Sequence, residues 1–201
     1  MDYSSSAISF AISVQGRLAE LDEATNRECR SRFPSLSPWV EWCYADPSTL
    51  FFGNHTISSE SGVQQGDPLG PLLFALALQP VLQQLHATCA PGGLQLVFSY
   101  LDDCCLAGEY HAVAAAHATL QAAAGQIGLQ LNTQKCELIP PAGLHHTIDR
   151  SLFPSDMIFC ANACFELLGG PIGTEEFCNS HTQHRVEKAT RLLEQLGELP
   201  D

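Results

Sequence analysis

Two adjacent carboxylates stand in the segment Phe98-Ser99-Tyr100-Leu101-Asp102-Asp103. Neighbours along a regular strand point to opposite faces, but a tight turn can carry one acid at its tip and leave the other beside it. Such a pair can hold Mg²⁺, which takes one or two carboxylates and completes its shell with water and phosphate oxygens. Two ions about 3.5 to 4 Å apart serve the attacking and the departing oxygen of an in-line displacement. A third carboxylate from a neighbouring strand is normally wanted for that arrangement. Asp-Asp at a turn is also ordinary turn chemistry, so the pair needs company before it carries a function.

Company comes from two other segments. Gly62-Val63-Gln64-Gln65-Gly66-Asp67-Pro68-Leu69-Gly70-Pro71 places three glycines and two prolines directly before a long apolar run. Glycine lets the backbone approach a ligand closely, and Gln offers both donor and acceptor to a base or sugar edge without adding charge. The same composition suits a plain helix-entry loop. In Gly128-Leu129-Gln130-Leu131-Asn132-Thr133-Gln134-Lys135 a solitary Lys follows a short apolar stretch. It can donate a proton to a departing phosphate, though an isolated Lys is more commonly a solvated side chain. Cys178, His181 and His184 share i, i+3, i+6 spacing, yet zinc wants four ligands and no second pair is nearby.

The elements that must position these groups are readable from the pattern. Leu18, Leu21 and Ala24 recur at helical spacing in a segment closed by Pro34, and Ser37-Pro38 opens a second short helix through Tyr44. Gly53-Asn54 between Leu50-Phe51-Phe52 and His55-Thr56-Ile57 predicts a β-hairpin. A helix starting at Asp67-Pro68 or Gly70-Pro71 carries Leu69, Leu72, Leu73, Phe74, Leu76 and Leu78 on every side, which predicts burial all round. Leu94, Leu96, Phe98 and Tyr100 alternate with Gln95, Val97 and Ser99 as the inward set of a half-buried strand. Cys104 to Ala107 can return antiparallel, which leaves Asp102-Asp103 at or beside the turn. An Ala-rich helix from about Tyr110 to Ile127 stops at Gly128. Short strands near Gln130-Leu131, Cys136 to Ile139 and Phe165 to Leu168 follow, then an amphipathic helix bearing Val186, Ala189, Leu192, Leu193 and Leu196. The expected class is α+β, an antiparallel sheet with helices packed on one face.

Gly62 to Phe74, Tyr100-Leu101-Asp102-Asp103, Gly128 to Lys135 and Phe165-Glu166-Leu167-Leu168-Gly169 resemble, in order and spacing, successive motifs of a reverse transcriptase palm. The closest kind is that of non-long-terminal-repeat retrotransposons. The resemblance implies an RNA-directed DNA polymerase, in which a primer 3′-hydroxyl attacks a deoxynucleoside triphosphate on an RNA template with two Mg²⁺ or Mn²⁺ ions. It further implies Asp102 and Asp103 as metal ligands, and Gln65, Gly66 and Tyr100 against template and nucleotide. Lys135 becomes the general acid, and Leu168 with Gly169 the turn that grips the primer. The domain so implied covers residues 33–173, after an N-terminal segment 1–32 and before a C-terminal helix 174–201. The family's first aspartate lies on a strand ahead of the helices. In this chain only Asp2, within Met1-Asp2-Tyr3-Ser4-Ser5-Ser6, is available as that third ligand, in an irregular register. Fingers before it and a thumb after Leu199 are expected to be largely missing. A catalytically inactive remnant, inert or serving as a protein-interaction module, is the alternative.

Charge bears on that choice. In 201 residues there are 22 Asp and Glu against 9 Lys and Arg, a formal net charge of -13. Polynucleotides are held by basic side chains that displace counterions, so this chain is expected to bind nucleic acid weakly. Arg27, Arg30 and Arg32 form its one compact basic cluster, while Arg185, Lys188 and Arg191 are interleaved with Glu187 and Glu194. Nine cysteines, an odd number lying largely in apolar runs, fit a reduced intracellular setting, cytoplasm or nucleus. The run Leu72 to Leu78 is too short by itself to cross a bilayer, and no membrane partner is expected.

Overall fold

The computed structural model of the chain describes residues 6–11, 21–59 and 66–197. Asp2, Gln64 and Gln65 lie outside the described residues.

The carboxylate pair is carried by a three-stranded antiparallel sheet. Its strands β1 (Ser6–Ala11), β4 (Leu94–Tyr100) and β5 (Asp103–Gly108) stand in the order β1-β5-β4. Helices α3 (Gly70–Cys89) and α4 (Tyr110–Gln126) pack on each other and against the sheet. Ala77, Val81, Leu85, Val113, Ala116 and Leu120 of the two helices meet Leu94, Cys104 and Leu106 of the sheet in the main core. The alanines of α4 keep the helix axes close, and closeness is what fills the layer at the density of a protein interior. A second, smaller cluster of Cys29, Val40, Leu73 and Leu76 ties α1 (Leu21–Arg32) and α2 (Ser37–Tyr44) to the start of α3.

The entry to α3 follows from its residues. Gly70-Pro71 opens the helix with proline in its first turn, where the missing N–H has no helical partner anyway. Asp67 fixes the approach: one carboxylate oxygen accepts from the Leu69 amide at 2.8 Å and the other from the Tyr44 hydroxyl. By length and composition α3 is apolar enough to cross a membrane. Eight of its residues are buried and it packs on α1 and α4, the position of a core helix.

The remaining elements flank this unit. Hairpin β2 (Ser48–Phe52) and β3 (His55–Ser59) turns at Gly53-Asn54 as its sequence predicts. A short strand β6 (Glu137–Leu138) runs beside β1 and pairs in parallel with β7 (Ile158–Phe159). Hairpin β8 (Phe165–Leu167) and β9 (Gly170–Ile172) leads into α5 (Glu175–Gly197), which packs on β9.

Three expectations are corrected. The in–out phase of β4 is the reverse of the one its alternation predicts: Leu96, Phe98 and Tyr100 are exposed, and Val97 and Ser99 are the half-buried residues. The cause is a bulge between Leu94 and Leu96, since one extra residue moves every later side chain to the other face. Helix α3 is not covered on every side, because a cavity of about 380 Å³ opens along Leu72, Ala75 and Gln79, walled also by Phe33 and Leu101. Gln130-Leu131 forms no strand; the chain leaves α4 through the left-handed Gly128 and tightens into a single helical turn at Thr133–Lys135, too few residues for a ladder. The amphipathic pattern of α5 has no cover to match: no described residue of the helix is buried, and Val186, Leu192, Leu193 and Leu196 are exposed.

Candidate active site

Leu101-Asp102 forms the two-residue turn between β4 and β5, and Tyr100 pairs with Asp103 as the last rung before it. Leu101 has φ 54 whereas Asp102 has no positive φ. Left-handed backbone at the first turn position alone is the mark of a type II′ turn, where glycine is usual. A side chain in that conformation costs roughly 1–2 kcal/mol, and the core behind the hairpin holds it there. The turn separates the two acids: Asp102 is exposed at the tip, and Asp103 opens β5, half-buried.

Side-chain alternation then decides what Asp103 looks onto. Cys104 and Leu106 are buried toward the helices, so Asp103, Cys105 and Ala107 occupy the opposite face. Their partners across the ladder are Tyr100, Phe98 and Leu96. Directly opposed residues share a face, and the result is an open apolar stripe with a carboxylate at its end. Burial, and next the charge of Asp102, hold the Asp103 carboxyl above its usual range. On the other side of β5, Ala11 of β1 is the residue across from Asp103, a residue type without a ligand atom.

The other candidate residues stand on separate elements. Gly66 is exposed with φ 92, directly before the Asp67 clamp at the mouth of α3. Lys135 is exposed at the end of the helical turn that leads into β6, and β6 lies along β1. Leu168 and Gly169 form the β8–β9 turn with φ 50 and 80, both left-handed as a type I′ turn requires. One turn brings Tyr100, Asp102 and Asp103 together, and another carries Leu168 and Gly169.

Two features escape sequence reasoning. The open stripe of Leu96 and Phe98 depends on the bulge, for which the alternation gives no sign. The β8–β9 hairpin is locked to α5 through Glu166, whose carboxylate meets His181 Nε2 at 2.8 Å and lies 3.9 Å from Arg185, while Arg185 donates to the Gly169 carbonyl at 3.1 Å. The i, i+4 spacing of His181 and Arg185 was the available signal. With His181 so engaged and the Cys178 thiol on the Pro171 carbonyl, no group of three or more potential metal ligands gathers among the described residues.

A family model described as reverse transcriptase (RNA-dependent DNA polymerase) matches residues 17–171, more than half of the chain. The chain belongs to the reverse transcriptase family. No curated protein matches it. The matched span of this reverse transcriptase runs from ahead of α1 into β9, so it contains the Tyr100–Asp103 turn, Gly66, Lys135 and the β8–β9 turn, and it begins after β1. The family polymerises DNA on RNA, which entails binding template, primer and deoxynucleoside triphosphate, and it uses divalent metal ions. The Asp102–Asp103 pair suits such an ion. Burial and like charge both disfavour ionisation of Asp103, and a bound cation reverses both effects.

Proposed function

We propose that this reverse transcriptase chain is the palm portion of a retrotransposon polymerase of the non-long-terminal-repeat kind. Its reaction is attack of a DNA primer 3′-hydroxyl on the α-phosphorus of a deoxynucleoside triphosphate, with pyrophosphate leaving and RNA as template. The observation that carries this reading is the turn at Leu101-Asp102, which sets one acid at the tip and the other at the end of an open sheet face. Asp102 and Asp103 are the residues that hold Mg²⁺ or Mn²⁺, with Asp2 as the third candidate outside the described residues. A pair of bound ions supplies activation of the attacking oxygen and neutralises charge on the departing one.

The chain's own groups do the rest. The open stripe of Phe98 and Tyr100 gives the nucleotide sugar and primer terminus a flat apolar floor. Gln65 and Gly66 are assigned to template and incoming nucleotide, and Gly66, at φ 92, holds a backbone conformation that a side chain would strain. Lys135 gives its proton to the pyrophosphate leaving group, and the Leu168-Gly169 turn, braced by Arg185, steadies the primer. The net charge of -13 supports weak intrinsic affinity for the polyanionic partners. Nine free cysteines support action inside the cell, in cytoplasm or nucleus.

Primer extension on an RNA template, comparing the chain with Asp102→Asn and Asp103→Asn, tests the proposal. The inactive-remnant alternative predicts equal silence of all three.

A further inference from the structure

Trp39 and Trp42 are the chain's only tryptophans. One helical turn apart on α2, they share a face, with ring centroids 5.0 Å apart and planes tilted by 36°. They remain 54% and 74% exposed, although indoles are rarely left uncovered. Both line an open cleft of about 830 Å³ whose polar groups come from Tyr44, Ser48 and Asp67 and which Gly66 also lines. That is ample for a planar heteroaromatic ring with its sugar.

We propose that this cleft is a stacking subsite for an unpaired nucleobase of a single-stranded template. The proposal rests on the reading of Gly66 as part of the template and nucleotide loop, since the cleft is continuous with that residue. The Trp42 ring is the platform. Stacking is open to any base because every base has a π-face, and in a chain poor in Lys and Arg it is the part of single-strand recognition that this cleft can supply. Asp67, already fixed by Tyr44 and the Leu69 amide, keeps acceptor capacity for a base amino or imino group. A protein partner fits less well. The exposed parts of the two indoles amount to no more than about 400 Å², against roughly 800 Å² per side in a stable complex. The exposed Phe51 and Phe52 of the neighbouring hairpin do not line this cleft.

Because both tryptophans sit in the cleft, intrinsic fluorescence reports on it directly. The full chain is titrated with single-stranded oligothymidylate of about 12 nucleotides and with an abasic sugar–phosphate strand of equal length. Saturable quenching by the first and none by the second is expected. Trp42→Leu weakens binding about tenfold, as loss of one stacked base contact does, with far-ultraviolet circular dichroism unchanged. Trp39→Leu keeps the quenching, because the platform remains. Raising salt from about 50 to 200 mM changes the affinity less than about twofold, where a site built on several phosphate contacts loses orders of magnitude. The Asp102→Asn/Asp103→Asn double variant is quenched like the parent, so a failure of catalysis is distinguished from a failure of this site. Equal quenching by the abasic strand, or none at about 1 mM oligonucleotide, overturns the proposal. So does a blue shift that grows with protein concentration alone together with a doubled mass, which assigns the cleft to a second copy of the chain.

Discussion

Ala11 of β1 stands directly across the ladder from Asp103 of β5. Opposed residues on neighbouring strands have Cβ atoms about 4.5–5.5 Å apart, the range over which two carboxylates share a cation. Ala11→Asp therefore adds a third acid beside the pair. Its expected effect is tighter Mg²⁺ or Mn²⁺ binding, by about tenfold for one added ligand charge, measured by isothermal titration with parent and variant side by side. An unchanged affinity would mean that position 11 does not share the metal site.

Protonation of Asp103 gives a second prediction. Its folded pKa is raised, by burial first and by Asp102 second, so the folded state binds more protons than the unfolded chain between the two pKa values. Stability is then lost as pH rises through the folded pKa, and below the unfolded value of about 4 the penalty is gone. Asp103→Asn accordingly raises the melting temperature at neutral pH, and the difference closes as the pH is lowered past that value. Mg²⁺ stabilises the parent more than the variant, which keeps only Asp102 of the pair. Thermal scans with and without Mg²⁺ check both parts.

The hairpin's position against α4 depends on Gly108. A Cβ there meets the Gly93 carbonyl oxygen at 2.2 Å and the Leu94 Cα at 2.8 Å, both backbone atoms that cannot move aside. The same Gly93 oxygen accepts from the Glu109 amide at 3.0 Å, so the start of α4 is fixed at this point. Gly108→Ala is expected to cost about 1–3 kcal/mol as an overpacked contact, read from urea unfolding. Gly125→Ala, inside α4 with open space around it, is the matched control and raises stability by roughly 0.5–1 kcal/mol through helix propensity.

Glu166 links the β8–β9 turn to α5, and its carboxylate is about half exposed. Solvent screening limits exposed pairs to about 0.2–1 kcal/mol, so Glu166→Gln leaves global stability nearly unchanged. Its effect is local: faster amide hydrogen exchange at Leu167, Leu168 and Gly170, while the amides of β5 keep their protection. Exchange at those three amides that is unchanged in the variant would show that the brace contributes nothing.

How far the sequence carries the fold varies with the kind of signal. Gly53-Asn54, Gly70-Pro71 and Gly128 announce a turn, a helix start and a helix stop because backbone geometry there depends on local residues. The acid pair was legible for the same reason, whereas the local pattern carries a strand through Leu168, and a turn at Leu168-Gly169 follows only from the family resemblance. The phase of β4 was not, because the bulge after Leu94 is set by pairing with β5, a long-range event. Nor was the partial uncovering of α3: its composition is apolar all round, but α1 and α4 cover only part of its circumference. The cleft at Trp39 and Trp42 likewise requires α2 to lie beside the α3 entry, a contact made through Tyr44 and Asp67 that are 23 residues apart.

Single-turnover primer extension decides whether Asp102 and Asp103 form a nucleotidyl-transfer centre. The full chain, in large excess over an annealed RNA template and DNA primer, is supplied with deoxynucleoside triphosphates and Mn²⁺ or Mg²⁺. Template-dependent addition that requires the metal is expected, falling by at least about a hundredfold in Asp102→Asn and in Asp103→Asn, the scale of losing one stabilising group at the reacting centre. Extension that is equal in parent and variants, or absent from all three while the variants remain folded, contradicts it.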